Sequence, residues 1–297
     1  MLPAITGVDF DLGAGETLGI VGESGAGKST VGLALVRLLP TSATYSGSAA
    51  FEGVDVLSLP LTQLRAIRGA RIGVAFQDRT GSLHPLLPID VQVMEGPHLH
   101  LGLSRRAARE RAVVVLESVG IPASRSRDYP HQLSGGMRQR VLLAIAISCA
   151  PEILIADEPT SALDVVLQCQ ILDLIKQHQA EKGMSVLIMT HDLGVAARAD
   201  HIVVMYAGRV FESALALELF REPANPYTRA LLGSIPDPKR PRGELVQISG
   251  RPPDLSRLSA DQCPFAERCP EVVSVCREQL PPLKEVTPGH HSRCWRS

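Results

Sequence analysis

Gly22-Glu23-Ser24-Gly25-Ala26-Gly27-Lys28-Ser29, with Thr30 next, fits the pattern G-x-x-x-x-G-K-[ST]. It follows an apolar run, TLGIV, and opens a helical pattern, TVGLALVRLL, the strand, loop and helix context that the pattern needs. Glycines at 22, 25 and 27 let the backbone curl, so that successive N–H groups face phosphate oxygens with the positive end of a helix behind them. Lys28 reaches the outer phosphates and the Ser29 hydroxyl ligates Mg²⁺. Residues 22 to 30 are therefore the candidate binding loop, and its ligand is a nucleoside triphosphate. A glycine-rich turn with a solvated lysine is the bland alternative, which the flanking strand and helix disfavour.

A second apolar run, Ile153-Leu-Ile-Ala, ends in the adjacent acids Asp157 and Glu158. Neighbouring residues at a strand end point different ways, so Asp157 can orient the Mg²⁺ shell while Glu158 faces the attacking water as catalytic base. Further short runs, RIGVAF, SVLIMT and HIVVMY, alternate with helical stretches such as Arg105 to Val119 and Ser161 to Gln179. Such alternation predicts an α/β fold with a mostly parallel sheet covered on both faces. Leu163, Leu167, Ile171 and Ile175 recur every four residues and define one buried helix face. Of the 22 prolines, 12 fall after residue 221, where they disfavour long helices and central strands. The regular core should thus occupy residues 1–221 and a looser tail 222–297, with Ile235 to Gly243 as a stiff linker.

The 297 residues suit about two units, and 30 basic against 31 acidic side chains leave a net charge of −1. Neither sign forms a long block, so a nucleic-acid coat or a polybasic membrane anchor has little support. Mean hydropathy is +0.10. Val141 to Ala150 is the longest largely apolar run, well short of the ~20 residues that span a bilayer. The opening MLPAITGVDFDLGAGE has acids and no basic n-region, so a reducing, cytosolic compartment is expected.

Between the two candidate halves lies Leu133-Ser134-Gly135-Gly136-Met137-Arg138-Gln139-Arg140, running into VLLAIAI. This resembles the signature motif of ATP-binding cassette (ABC) proteins. Gln77 in VAFQD, Ser161-Ala-Leu-Asp164 and His191 in MTHD agree with it. The resemblance tightens to the ATPase subunits of oligopeptide and dipeptide importers through GSLHPLLPI after Gln77, NPYTRALLGSIP at 225–236, ISGRPPDL at 248–255 and CPFAERCP at 263–270. It implies a P-loop NTPase core with an α-helical subdomain inserted at about residues 82–150, and a small Cys/Pro-rich C-terminal extension. It also implies ATP and Mg²⁺ as ligands, the metal held through Ser29, Gln77 and Asp157. A second ATPase subunit, a relative of this chain, would stack head to tail, so that Ser134, Gly135 and Gly136 of one subunit close over the γ-phosphate held by Lys28 of the other. Gln77 would touch Mg²⁺ or the lytic water, His191 the γ-phosphate, and Asp164 would help to join the two sites. Two transmembrane permeases and an extracytoplasmic peptide-binding protein would complete the importer. The chain would be peripheral on the cytoplasmic face of the inner membrane, with a groove in its helical subdomain for a permease coupling helix.

Two other functions compete. A soluble cassette acting on nucleic acid or ribosomes calls for a coiled-coil insertion, a tandem cassette or a basic stripe, and the sequence carries none. Against a non-catalytic partner subunit stand Lys28, Glu158, Ser134 and His191.

Cys263, Cys269, Cys276 and Cys294 cluster in the tail without a C-x₂-C knuckle, whereas Cys149 and Cys169 lie in helical, apolar surroundings and are expected in the core. Four thiolates from a loop-rich segment suit a [4Fe–4S] cluster or a zinc site, with unligated thiols or a redox disulfide as alternatives. The resemblance points to the cluster, with which such importer ATPases have been associated. The family also places a strand and an adenine-stacking aromatic ahead of the segment matching AITGVDFDL. Here 21 residues precede Gly22 and no aromatic precedes Phe10, so the expectation is that further sequence lies upstream of Met1 or that the base is held differently.

Overall fold

A computed structural model describes residues 4–76, 82–161, 163–235, 248–255, 258–259 and 261–297. In chain order its elements begin with β1 (Thr17–Val21), α1 (Lys28–Leu35), β2 (Ala50–Phe51), β3 (Val54–Asp55), α2 (Leu61–Ile67) and β4 (Ile72–Ala75). There follow α3 (Ile89–His100), α4 (Arg105–Ser118), α5 (Gly135–Ile147), β5 (Ile153–Asp157), α6 (Val165–Lys182), β6 (Ser185–Thr190) and α7 (Leu193–Ala196). The last are β7 (His201–Tyr206), β8 (Arg209–Leu215), α8 (Ala216–Arg221), α9 (Pro226–Gly233), α10 (Val275–Glu278), β9 (Lys284–Thr287) and β10 (His290–Ser292). The chain divides into two compact units, one of residues 1–11, 17–31 and 189–297 and the other of 12–16 and 32–188.

In the first unit β1 and β7 run parallel, with Leu18 opposite His201 and Val21 opposite Val204. Both are near-continuous apolar runs, as strands covered on both faces require, and all of β1 is buried. The chain then reverses through Ala207 and Gly208, both with positive φ (49° and 75°), into antiparallel β8. A two-residue hairpin of this kind favours Asn or Asp followed by Gly. Alanine in the first place hides the turn, which is why no strand was expected over Arg209–Leu215. β10 pairs antiparallel with β8, and β9 with β10. Helix α8 ends at Arg221, and regular structure resumes with α9. Asn225 caps α9 by accepting from the Tyr227 N–H (3.0 Å), and its amide donates to the carbonyls of Phe211 (3.0 Å) and Arg293 (3.1 Å). Glu212, wholly buried, accepts from the N–H groups of Ala224 (2.6 Å) and Asn225 (3.1 Å) and meets His290 Nε2 at 2.7 Å.

In the second unit β4 and β5 run parallel, Ile72 opposite Ile153 and Ala75 opposite Ala156, and β6 lies beside β5. Helices α3, α4 and α5 occupy residues 89–147 and pack on one another. Ile89, Val93, Ala108, Ala112, Leu116, Val141 and Ala144 fill the space between them without residual exposure. Helix α6 buries Ile171 and Ile175, whereas Leu167 and Leu163 are half-buried. Cys149 is buried as expected, but Cys169 is exposed. The reason is angular, because two residues before Ile171 is about 200° round the helix from the buried face.

Gly73 in β4 faces the C-terminal part of α5, and a Cβ there would lie 2.1 Å from the Ala146 carbonyl oxygen. Gly73→Ala must push helix and strand apart. Thermal unfolding should report a loss of about 1–3 kcal/mol, the cost of overpacking a well-filled core.

Candidate nucleotide site

The first unit presents the phosphate loop. Gly22, Gly25 and Gly27 all have positive φ (156°, 83° and 101°), a backbone that side chains rarely adopt. At Gly22 a Cβ would also stand 2.2 Å from the Met205 carbonyl oxygen, so the loop can leave β1 only because this residue has none. The Ala26 N–H donates to the Glu23 carbonyl (3.1 Å), and the Val31 N–H to the Gly27 carbonyl (3.0 Å). Lys28, 7% exposed, folds its ammonium back over the loop, donating to the carbonyls of Gly22 (2.7 Å) and Glu23 (3.1 Å). Its charge is thus held over the turn that would surround phosphate oxygens. Ser24 and Ser29 are exposed and Thr30 is half-buried. His191 is exposed one residue beyond β6, where Asp192 caps α7 by accepting from the N–H groups of Gly194 (2.7 Å) and Val195 (3.4 Å).

The second unit carries the acids and the signature. β5 ends at Asp157, and both Asp157 and Glu158 are buried (7% and 8% exposed). Glu158 has φ of 49°, a left-handed conformation that costs a non-glycine residue energy. The strand's alternation therefore stops between the two carboxylates, a feature that the sequence pattern did not disclose. Ser134 caps α5 by accepting from the Met137 N–H (3.3 Å), while Gly136 is packed under Leu167 of α6. Ser134 and Gly135 are exposed. Asp164 caps α6, accepting from the Leu167 N–H (3.0 Å). Gln77 lies outside the described residues.

In the tail, Cys263, Cys269, Cys276 and Cys294 line one small pocket with Phe211, Phe265 and Trp295. Burial pushes the Cys263 thiol up to about 11, helped by the neighbouring thiols, and burial also raises Cys269. Backbone N–H groups approach two of the sulfurs, Glu271 to Cys269 (3.4 Å) and Arg296 to Cys294 (3.3 Å). Among the described residues, however, no group of three or more Cys, His, Asp or Glu is assembled to hold a metal ion. The four thiols have the donor chemistry of a metal or cluster site without that assembly. On the helical segment, Leu87, Val91, Met94, His98, Arg106 and Arg109 line a groove of about 910 Å³. Arg109 is anchored there on the buried carboxylate of Asp90 (3.1 Å). No helix among the described residues is long and apolar enough to cross a membrane.

The loop thus leads into α1, the acid pair closes β5, and Ser134 opens α5; comparison with known proteins gives the family. Residues 5–161 match the ABC transporter family, and residues 211–276 match the oligopeptide/dipeptide transporter C-terminal region. The chain belongs to the ABC transporter family, as an ATPase subunit with the oligopeptide/dipeptide type of C-terminal region. Among its relatives is a probable peptide ABC transporter ATP-binding protein of Sinorhizobium fredii, 48% identical over 99% of this chain and 89% of that protein. The oligopeptide transport ATP-binding protein of Salmonella typhimurium is 44% identical over 99% of this chain and 88% of its own length. The dipeptide transport ATP-binding protein of Bacillus subtilis is also 44% identical, over 98% and 88%. A solved dimeric ATP-binding cassette in a post-hydrolysis state, bound to ADP and Pi, superposes with a TM-score of 0.65 at 30% identity, covering 72% of this chain and 90% of that one. Membership of the family carries ATP and Mg²⁺ as ligands.

Glu158→Gln keeps the size of the side chain and removes its basicity. The variant should bind MgATP as the parent does and turn it over about 10² to 10⁴ times more slowly, the usual contribution of a positioned base. Parallel nucleotide titration and phosphate-release assays check both halves of that expectation.

Proposed function

We propose that this chain is the ATP-hydrolysing subunit of an importer for di- or oligopeptides or a related small solute, working on the cytoplasmic face of the cell membrane. The observation that carries it is the phosphate loop with Lys28 folded over its own carbonyls, on a chain related along nearly its whole length to peptide-transport ATP-binding proteins. Lys28 and the loop amides hold the β- and γ-phosphates, whose negative charge releases the ammonium from Gly22 and Glu23. Ser29, Asp157 and Gln77 would hold Mg²⁺, which would supply neutralisation of phosphate charge. Glu158 accepts the proton of the attacking water, and His191 donates to the γ-phosphate as its charge builds.

The signature residues belong to a neighbour's reaction. Ser134 offers a hydroxyl, and Gly135 and Gly136 offer amides, at the N-terminus of the thirteen-residue α5. A second ATPase subunit, a relative of this chain, stacked head to tail, brings these donors over the phosphate held by Lys28, with Asp164 near the junction. What supports the pairing is the dimeric state of the similar solved cassette. ATP-driven closure then moves the helical segment, whose groove between α3 and α4 receives a permease helix. Exposed leucines at 86 and 99 (77% and 72%) and the groove's mixed lining, apolar with basic side chains and the acids Glu95 and Glu110, suit such a docking. Two permeases and an extracytoplasmic peptide receptor complete the assembly. The division into a core at 1–221 and a tail at 222–297 stays a proposal, supported by the proline-rich composition of the tail. For the four-thiol pocket we propose a structural or regulatory [4Fe–4S] cluster, supported by the four cysteines that line one pocket and the N–H groups that approach two of their sulfurs.

Two measurements test this section. Tagged chain expressed in its own membranes should bring down two permeases, and its ATPase rate should rise steeply with the concentration of the second ATPase subunit, because the site at Lys28 borrows that neighbour's signature residues. Ribosomes or DNA in place of permeases would overturn the transport assignment. Anaerobic purification should give a brown protein absorbing near 400 nm; a colourless protein with stoichiometric zinc would replace the cluster by a zinc site.

A further inference from the structure

The second residue of the phosphate loop has none of its polar groups left for a ligand. The Glu23 N–H donates to Tyr227 Oη (3.0 Å), and its carbonyl accepts from the Ala26 N–H (3.1 Å) and from Lys28 Nζ (3.1 Å). Its carboxylate is gripped by both terminal nitrogens of Arg268, Nη1 to Oε2 at 2.6 Å and Nη2 to Oε1 at 2.9 Å. This is the paired fork geometry in which Arg binds carboxylate most strongly and with most directional control. It is also a protected pair, since the Arg268 side chain is 6% exposed and that of Glu23 24%.

Arg268 is itself fixed from every side. Its Nε donates to the Ser249 carbonyl (2.9 Å), its Nη1 also donates to Tyr206 Oη (3.0 Å), and its guanidinium lies over the rings of Tyr206 (5.7 Å) and Phe265 (5.9 Å). Tyr206, Tyr227 and Phe265 pack on one another with ring centroids 4.6 to 5.4 Å apart, all three fully buried. These contacts draw on the end of β7, on α9 and on the cysteine segment, where Arg268 immediately precedes Cys269 and Phe265 lies two residues after Cys263. The loop's shape is thereby set from outside it, by residues about 200 to 245 positions later in the chain.

We propose that Arg268 is a positioning residue for the phosphate loop: by fixing Glu23 it holds the backbone in the shape that receives the triphosphate, so tight nucleotide binding requires the cysteine segment to be folded around it. The proposal rests on the nucleotide site assigned above and deepens it. Without the guanidinium, a carboxylate in a mostly protein-lined site is left unpaired and turns toward water, carrying the loop with it. Affinity for MgATP then falls, whereas the rate at saturating MgATP changes little, because Glu23 and Arg268 do not touch the reacting atoms.

The test uses the full chain titrated with MgATP for affinity and assayed for ATPase at saturating MgATP. Arg268→Gln should weaken binding about 10- to 100-fold, the range that follows from loss of one hydrogen-bonded charge partner. Arg268→Lys should recover part of that loss. Arg268→Gln combined with Glu23→Gln should be no worse than Arg268→Gln alone, because the unpaired charge is gone. Arg229→Gln, which breaks the exposed pair of Arg229 with Glu271 in the same unit, should leave affinity unchanged. A folded Arg268→Gln chain with parental affinity would overturn the proposal, and so would an equal loss in Arg229→Gln. If Arg268→Gln does not fold, Glu23→Gln carries the test, and unchanged affinity there overturns the proposal. Failure of the unaltered chain to bind MgATP at all would instead overturn the nucleotide site itself.

Discussion

The close approach of Gly22 to the Met205 carbonyl is the constraint on which the first unit depends. β1 and β7 are locked in parallel register up to Val21 and Val204, so the chain must turn out of the sheet immediately beside the last residues of β7. Any Cβ at Gly22 would collide with that carbonyl. The loop is consequently pressed against the end of β7, and the next residue, Glu23, is delivered to the aromatic cluster of Tyr206, Tyr227 and Phe265. A phosphate-binding loop is usually described through the glycines and lysine that face its ligand. Here the opposite side of the loop is as fully determined, by hydrogen bonds and rings that never meet phosphate.

The candidate site residues are divided between the two units. One presents the loop and His191, the other Asp157, Glu158 and the signature at Ser134. Local backbone devices fix several of these residues. Ser134 and Asp164 begin helices by capping them, so their side chains stand at positive helix ends. Glu158 is held in a left-handed conformation directly after a buried strand, the kind of strain that persists only where surrounding packing over-determines it.

Much of this was legible because its signals are local. The glycine spacing at 22–27, the apolar run closing in Asp157 and Glu158, and Ser134 ahead of an apolar helix each declare their structure within about ten residues. The ABC assignment followed from their order along the chain. What escaped was long in range or unusual in chemistry. β8 was hidden by alanine in a turn that prefers Asn or Asp, and β10 pairs with it across 78 positions (His291 opposite Ser213), a distance over which periodicity carries nothing. Cys169 was misplaced because an apolar helix was treated as buried all round. The Glu23–Arg268 pair joins residues 245 apart, and no spacing rule brings them together.

Glu212 has a consequence for how the molecule is made. Its carboxylate, wholly buried, has three partners, at residues 224, 225 and 290, and the last of them sits on β10. During synthesis, which proceeds from the N-terminus, β7 and β8 emerge with an open sheet edge and a buried acid still lacking its imidazole. That edge is covered only when residues 290–292 arrive, some 80 positions later. The nascent first unit therefore passes through a stage with an exposed strand and a carboxyl group that lacks one of its partners. Closure of that sheet edge waits for a segment made long after the strand it covers.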